Sequence, residues 1–413
     1  MSVNMGDPIH LDARGVNLQG TFQLPLSKSM VNRALLLAAL WPELTLSGMS
    51  SAKDSVYLRE VLGATDGTEV FVGEGGTTLR FAAAFWATQE GQTLVLSGTD
   101  RLNARPIAPL VEALNALGAD ISYTGVPGQG PLKIQGRRMK GGTLALGHVQ
   151  SSQFVTALML IGPSLEEGLA LTWHSLPSRP YVVMTAALLR EAGFEVELST
   201  DGVRIPAGQT PERKRLHMEP DWSAMGFWCE AVALSTTADL FFPGFEDDAL
   251  QGDSKVIHYF EPLGVRANFE QGGLRLRKKS VLSPGNLIYN LIGEPDLAQA
   301  LILTMLLKRI PFEVNGLSTL EGKETDRIGW LKKVANSLVL DLETTPSSVR
   351  MLTYPKTTAT DLPVFDTEQD HRAAMSLAPL SLVTPIAMTG AEVVGKSYPE
   401  FWEHWNAAIG SQA

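Results

Sequence analysis

The spacing of apolar and polar residues divides the chain into alternating helical and extended segments. Apolar residues recur at helical spacing in twelve segments, which begin near Lys28, Ala52, Gly76, Pro106, Ser151, Arg179, Asp221, Ser254, Pro295, Glu324, His371 and Glu400. Short runs typical of β-strands lie between them, among them Thr93–Ser97, Thr143–Leu146, Leu169–Trp173, Phe194–Leu198, Leu240–Phe242, Leu274–Leu276 and Phe312–Val314. Two helices and several strands recur roughly every 45 to 75 residues, which predicts an α/β fold built from six copies of one unit.

The first strong helix start, within Leu24–Leu37, carries cations where anions are usually found. Ser27 is placed as the N-cap, and Lys28 and Arg33 follow in the first turns. A helix N-terminus is the positive end of the helix dipole, so cations there are disfavoured unless an anion binds them. This stretch alone therefore leaves two interpretations open, an anion site or a surface helix with solvated cations.

Later helix starts have a similar character. They include Gly73–Arg80 (GEGGTTLR), Gln150–Phe154 (QSSQF), Ser178–Tyr181 (SRPY), Lys323–Arg327 (KETDR), Asp370–Arg372 (DHR) and Gly395–Phe401 (GKSYPEF). Ordinary capping explains their Ser and Thr residues. It does not explain the cations at or near these junctions, which are Lys28, Arg33, Arg80, Arg105, Arg327 and Arg372. Several positive helix ends facing one cleft would attract an anion.

Two carboxylates at these junctions are candidates for acid–base work. Asp296 opens an apolar helix, where it serves either as an ordinary N-terminal acid or as a group that accepts a proton from a hydroxyl. Glu324 lies between Lys323 and Arg327. Glu324 is either part of a charged surface face or itself a proton carrier held near anions.

Composition limits the class of protein. A chain of 413 residues favours two domains. The net charge of −10 argues against a nucleic-acid binder, so an anionic ligand must be held by local cations. Cys229 is the single cysteine, which excludes internal disulfides and a cysteine-based zinc site, and the seven histidines show no metal-ligand spacing. The sequence therefore predicts no zinc site.

The chain also shows no sign of a membrane or export signal. Its start lacks the basic and apolar regions of a signal peptide, and the most apolar stretch, Leu297–Leu307, is too short to span a bilayer. The expectation is a soluble cytoplasmic protein.

Taken in order, these segments resemble the 5-enolpyruvylshikimate-3-phosphate synthase family, the 3-phosphoshikimate 1-carboxyvinyltransferases. The resemblance runs from about residue 20 to residue 403 and is carried by LPLSKSMVNRALLLAAL, GEGGTTLRF, ARPIAPLVEAL, SSQF, SRPY, EPDWSA, PDLAQAL, GKETDRI, DHRAAMSLA and GKSYPEFW. It implies a two-domain inside-out α/β barrel with three βαβαββ repeats in each domain. Residues 1–20 with 221–413 would form one domain and 21–220 the other, with the active site in the cleft between them. A monomer is expected.

The resemblance also implies the reaction and the residues that carry it. Enolpyruvyl would move from phosphoenolpyruvate to the 5-hydroxyl of shikimate 3-phosphate through a tetrahedral intermediate, with release of phosphate. The resemblance implies neither a metal nor an organic cofactor. Asp296 and Glu324 would be catalytic, with Lys28 assisting. Shikimate 3-phosphate would be held by Lys28, Ser29, Arg33, Ser151, Ser152, Gln153, Ser178, Tyr181, Asp296 and Lys323. Phosphoenolpyruvate would be held by Lys28, Gly76, Arg105, Arg327, Arg372 and Lys396.

Four positions depart from the usual family pattern, namely Leu26, Glu74, Thr319 and Glu321. Two of them add negative charge near a site for anions. One alternative is the sister enzyme that acts on UDP-N-acetylglucosamine, which uses a loop cysteine as its acid. Cys229 lies instead in the apolar text GFWCEAVAL, where a core role is expected. The other alternative is a catalytically silent paralogue that only binds anions.

Overall fold

The computed structural model describes residues 7–280, 284–356 and 363–410. Its α-helices are α1 (Lys28–Leu40), α2 (Lys53–Leu62), α3 (Gly76–Ala87), α4 (Asp100–Asn103), α5 (Ala108–Ala116), α6 (Ser152–Ile161), α7 (Arg179–Glu191), α8 (Trp222–Leu234), α9 (Val256–Phe260), α10 (Ala298–Leu307), α11 (Arg327–Ser337), α12 (His371–Leu377) and α13 (Phe401–Ile409).

The strands are short. They are β1 (Ile9–Leu11), β2 (Asn17–Thr21), β3 (Thr45–Leu46), β4 (Thr68–Phe71), β5 (Thr93–Ser97), β6 (Asp120–Tyr123), β7 (Leu132–Gln135), β8 (Gly142–Ala145), β9 (Leu169–Thr172), β10 (Glu197–Leu198), β11 (Gly202–Ile205), β12 (Arg215–Leu216), β13 (Thr237–Pro243), β14 (Val265–Glu270), β15 (Gly273–Lys278), β16 (Leu287–Asn290), β17 (Phe312–Asn315), β18 (Glu343–Thr345), β19 (Ser348–Met351), β20 (Val364–Asp366) and β21 (Ile386–Thr389).

The predicted elements agree closely with this structure. Each of the twelve predicted helices begins within three residues of an observed one. The additional helix, α4, is a single turn that Thr99 caps by accepting a hydrogen bond from the backbone N–H of Leu102. Every predicted strand overlaps an observed strand. In Phe194–Leu198, only Glu197–Leu198 belongs to the observed strand.

The chain forms two compact units. Unit 1 takes the chain up to Pro25 together with the part from Pro220 onward, and unit 2 is Leu26–Glu219. Unit 1 is assembled across the sequence because β2 pairs in parallel with β13. The backbone pairing continues past β2, since the N–H of Phe22 donates to the Phe241 carbonyl. The first crossing therefore lies at Pro25–Leu26, against a predicted position near Gly20.

Each unit contains three small sheets. In unit 2 they have the strand orders β4-β5-β7-β6, β10-β11-β9-β8 and β12-β3. In unit 1 they are β14-β15-β13-β2, β16-β17-β19-β18 and β1-β21-β20. Among the described residues, no sheet closes into a barrel. Parallel and antiparallel pairs mix within sheets of both units, as in β4-β5-β7 of unit 2 and β16-β17-β19 of unit 1. The β12-β3 sheet has a single parallel pair.

Buried helices occupy the interior of each unit. In unit 2, α1, α3, α6 and α7 pack against one another, and α3 and α6 contact the sheets. Almost every residue of α3 and α6 is buried, which marks helices surrounded by protein. In unit 1, α8, α10 and α12 pack together in the same way. No helix in the described part of the chain has the length and apolarity that crossing a membrane requires.

Candidate active site

Lys28 is held against a carboxylate at the start of α1. Its Nζ lies 3.0 Å from Oδ2 of Asp54 on α2, and both side chains are largely buried. The backbone carbonyl of Asp54 in turn accepts from Oγ1 of Thr78 on α3. Ser27 occupies the N-cap position as predicted, but its side chain makes no capping hydrogen bond. The ammonium group is therefore fixed where α1, α2 and α3 meet.

The glycine loop before α3 brings two guanidinium groups together. A Cβ on Gly76 would lie 2.6 Å from Nη1 of Arg80 and 2.9 Å from Nη1 of Arg105. The glycine thus leaves space that these two side chains occupy. Two positive charges beside the N-terminus of α3 favour an anion at this point.

Gln153, in the first turn of α6, connects to the same loop. Its Oε1 accepts a hydrogen bond from Arg80, and its Nε2 donates to Oγ1 of Thr77 at 3.0 Å. Ser151 is the N-cap of α6 and accepts from the backbone N–H of Gln153. Ser152 beside it is buried. The first turns of α3 and α6 therefore meet in unit 2.

Ser178 is held in an unusual backbone conformation at the start of α7. Its φ of 54° and ψ of 38° lie in the left-handed region, and its side chain makes no capping hydrogen bond. Such conformations cost energy for a residue other than glycine and cluster at functional sites.

Arg33 is directed into the protein. Its guanidinium donates to Oγ1 of Thr185 at 2.8 Å and to the Ser29 carbonyl at 2.6 Å, with longer bonds to Thr156 and to the Tyr181 carbonyl. Burial lowers the pKa of Arg33 to about 10. The residue links α1 to α6 and α7, beneath Ser29 and Tyr181.

Unit 1 holds a second charged group, centred on Asp296. Its Oδ2 lies 2.8 Å from Nη2 of Arg372, and its Oδ1 lies 3.1 Å from Nη1 of Arg327 and 3.4 Å from Nζ of Lys323. Burial would raise the pKa of Asp296, but the three cations hold it well below its usual range. The carboxyl group is therefore ionised at neutral pH.

Glu324 joins the same network from the loop before α11. Its Oε2 lies 3.0 Å from Nη2 of Arg327, and its Oε1 lies 3.2 Å from Nζ of Lys396. Arg327 also donates from Nε to Asp370 at 2.7 Å, and Asp370 caps α12 by accepting from the backbone N–H of Arg372.

Cations and carboxylates are interleaved in this group. Four cations, Lys323, Arg327, Arg372 and Lys396, face three carboxylates, Asp296, Glu324 and Asp370. Burial would lower the pKa of Arg327, but the carboxylates around it raise that pKa. Guanidinium and ammonium groups of this kind are the usual partners of carboxylate and phosphate ligands.

Three carboxylates of these groups were not predicted as site residues. In the sequence, Asp54 resembles an ordinary acid in the first turn of a helix, and Asp370 resembles a helix cap. Asp253 has no sequence signal, yet it is buried close enough to Asp296 and Arg372 to interact electrostatically with both. Burial raises the pKa of Asp253 to about 7, and Asp296 adds to the shift.

Leu26, Glu74 and Glu321 are three of the positions that depart from the family pattern. Leu26 packs toward Gly48, where a Cβ would lie 2.5 Å from its Cδ1. Glu74 and Glu321 are exposed.

Cys229 is fully buried in α8, and burial raises the pKa of its thiol, which agrees with a core role. Within the described ranges, no three His, Cys, Asp or Glu residues are grouped as metal ligands.

The fold is that of solved EPSP synthases. The chain matches the solved EPSP synthase from Acinetobacter baumannii with a TM-score of 0.74 at 20% identity, over 97% of this chain and 98% of that one. The α/β fold implied by the sequence resemblance is thereby confirmed.

Sequence comparison identifies the family. The model of the EPSP synthase family (3-phosphoshikimate 1-carboxyvinyltransferase) matches residues 50–405. The chain is 36% identical over 389 residues to the 3-phosphoshikimate 1-carboxyvinyltransferase of Bacteroides fragilis strain YCH46, covering 93% of this chain and 94% of the relative. It is 28% identical to that of Methanoculleus marisnigri, covering 94% and 96%. The chain belongs to the EPSP synthase family.

The predicted activity is confirmed at the same time. The reaction is the transfer of enolpyruvyl from phosphoenolpyruvate to shikimate 3-phosphate in the shikimate pathway, which leads to the aromatic amino acids. Both relatives are named for the reaction on shikimate 3-phosphate, and neither is named for the sister reaction on UDP-N-acetylglucosamine.

Proposed function

We propose that two charged groups, one with Lys28, Arg80 and Arg105 in unit 2 and the other around Asp296 in unit 1, both contribute to substrate binding, and that Asp296 and Glu324 carry out the proton transfers. Asp296 carries the proposal, because three cations, Lys323, Arg327 and Arg372, converge on its carboxylate. Phosphoenolpyruvate is bound by the cations Lys28, Arg105, Arg327, Arg372 and Lys396, and Gly76 leaves space for it. Shikimate 3-phosphate is bound by Lys28, Ser29, Ser151, Ser152, Gln153, Ser178, Tyr181, Asp296 and Lys323, with Arg33 supporting two of them from behind.

The support for these assignments is mainly electrostatic. Each substrate is a polyanion, and both groups combine cations with helix N-termini. Arg33 is the exception, since its guanidinium donates within unit 2. Its contribution is to fix Ser29 and the backbone of Tyr181.

Proton balance assigns the two carboxylates. The 5-hydroxyl loses a proton as its oxygen bonds to C2 of phosphoenolpyruvate, and the methylene C3 gains one. The tetrahedral adduct then loses a proton from C3 as the bond to phosphate breaks. Asp296 accepts the proton of the hydroxyl and passes it to the departing phosphate. Glu324, protonated at the outset, gives its proton to C3 and takes it back when C3 is deprotonated, with Lys28 assisting.

Substrate binding itself makes Asp296 a better base. In the free protein its three cations hold the pKa of Asp296 far below the pH at which a base works well. Substrate phosphate and carboxylate groups would share the positive charge of Arg372 and Lys323. The pKa of Asp296 then rises towards a useful value only when the substrates are bound.

The test is phosphate release by Glu324→Gln. We expect release from the unmodified protein to require both substrates, and the variant to bind them with similar affinity while losing most turnover. Glu321→Gln is the matched control, because Glu321 is exposed three residues earlier. Unchanged turnover in Glu324→Gln removes Glu324 from the mechanism.

We also propose that the protein acts as a cytoplasmic monomer, as the family resemblance implies. Sedimentation velocity with and without substrates gives the oligomeric state directly.

A further inference from the structure

Two loops of unit 1 carry most of the charged group around Asp296. One precedes α11 and contains Glu324, and the other precedes α12 and ends at Asp370. A direct hydrogen bond joins the loops, since Oγ1 of Thr325 donates to Oε2 of Glu368 at 2.6 Å. Thr325 is buried, and its neighbour in sequence is Glu324.

The backbone of the second loop is strained at this point. Glu368 has a φ of 50° and Gln369 a φ of 59°, so two successive residues other than glycine are left-handed. Each such residue costs energy and persists only where its surroundings hold it in place. The backbone N–H of Glu368 donates to Oδ1 of Asp366 at 2.7 Å, which provides one restraint.

The side chain of Glu368 provides the other restraint. Its two carboxylate oxygens have different partners, Thr325 on the inner side and Lys333 of α11 on the outer side. The Lys333 Nζ lies 2.6 Å from Oε1, but the Lys333 side chain is 70% exposed. The ion pair is therefore screened by water, whereas the hydrogen bond to Thr325 is protected.

This loop leads straight into the residues that hold Arg327 and Arg372. Asp370, two residues after Glu368, accepts from Arg327 and from the backbone N–H of Arg372. A shift of the loop would therefore move both guanidinium groups relative to Asp296.

We propose that Glu368 is a positioning residue, whose hydrogen bond to Thr325 sets the spacing between the loop of Glu324 and the loop of Arg372. The inference rests on the proposed roles of Glu324 and Arg372. Glu368 itself touches neither substrate in this scheme. Its effect is on turnover, since a looser network still attracts anions but no longer aligns them.

The experiment compares variants at both partners of Glu368. We expect Thr325→Val and Glu368→Ala each to lower kcat about tenfold, the loss typical of one charged hydrogen bond, while the KM values change less than threefold. The double variant should be no worse than either single variant, because both remove the same bond. Glu368→Gln should recover most of kcat, since its amide oxygen still accepts from Thr325.

Lys333→Gln is the matched control, because it removes only the exposed partner of Glu368. We expect its kcat to stay within about twofold of the unmodified protein. Thermal unfolding of every variant confirms that folding is retained. The proposal is overturned if folded Thr325→Val keeps its kcat, or if the two losses multiply in the double variant. These results are judged against unmodified turnover, so they are separate from the outcome of Glu324→Gln.

Discussion

Nζ of Lys28 lies 3.0 Å from Oδ2 of Asp54, and the exposed fractions of the two side chains are 16% and 8%. Breaking a charge pair that is mostly removed from water leaves the remaining charge unpaired, which costs more than the pair contributed. Asp54 on α2 therefore fixes the position of the Lys28 ammonium group on α1.

We predict that Asp54→Asn destabilises the protein by about 2 to 3 kcal/mol and lowers kcat/KM for both substrates. The control is Asp120→Asn, the same change in an exposed pair with Arg137 in the same unit. It should cost less than about 0.5 kcal/mol. Urea unfolding and steady-state kinetics measure the two effects, and equal costs in both variants would contradict the role of burial.

Gly76 offers a second test, because the atoms nearest its missing Cβ belong to Arg80 and Arg105. The far ends of these side chains can move, so we expect Gly76→Ala to fold normally while displacing a guanidinium. The KM for phosphoenolpyruvate should rise about tenfold, with a smaller change for shikimate 3-phosphate.

Gly125→Ala is the matched control for that variant. Gly125 is in the same unit, and a Cβ there would meet only Cδ of Pro131, at 4.0 Å. Its KM values should not change. An unaltered KM for phosphoenolpyruvate in Gly76→Ala would show that the displaced side chains do not bind this substrate.

Local signals were sufficient to predict the helices that carry the site. Pro at the start of α5, Gly75 before α3 and Asp370 before α12 are each visible in the sequence. The cations at these starts, including Lys28 and Arg105, were visible as exceptions to the dipole rule.

The partners of those cations could not be predicted, because they depend on contacts between distant segments. Nothing in the text around Asp54 indicates that it faces Lys28, which lies 26 residues earlier. Arg33 illustrates the converse, since the charge pattern predicts a ligand contact and the structure directs the side chain inward. The units divide at Pro25–Leu26, later in the chain than the position near Gly20 that the sequence suggested. The pairing of Phe22 with Phe241, which extends the first unit, has no local signal in the sequence.

Arg327 provides a third test, since its guanidinium contacts carboxylates from three segments, Asp296, Glu324 and Asp370. Lysine keeps the charge but has one nitrogen, which cannot reach all three. We predict that Arg327→Lys lowers stability by about 2 to 4 kcal/mol and abolishes most turnover.

The control for Arg327→Lys is Arg350→Lys, where the pair with Glu343 is about half exposed. We expect its stability to change by less than about 0.5 kcal/mol. Denaturant unfolding of both variants makes the comparison. If Arg327→Lys is as stable as the control, then a point charge is enough to hold the three carboxylates.

The buried carboxyl group of Asp253 makes stability depend on pH. It faces Ser223 and Asp221 at the start of α8, Asp296 before α10, Arg372 on α12 and Tyr259 on α9. Burial, with Asp296 and Asp221, raises the pKa of Asp253 from 3.8 to about 7, against the opposing effects of Ser223 and Arg372. The folded protein therefore keeps a proton between these values that the unfolded chain releases.

The sign of the effect follows from that difference. The contribution of Asp253 to stability is fully present below about pH 4 and is lost as the pH rises through about 7, at a cost on the order of 4 kcal/mol. Asp253→Asn is neutral at every pH and still accepts from Ser223. We therefore predict that the stability of this variant, relative to the unmodified protein, is higher at pH 8 than at pH 5. The control is Asp248→Asn, at an exposed position, and its stability relative to the unmodified protein should be the same at both pH values. If the relative stability of Asp253→Asn is also the same at pH 5 and pH 8, then burial does not favour the protonated form of the Asp253 carboxyl group in the folded protein.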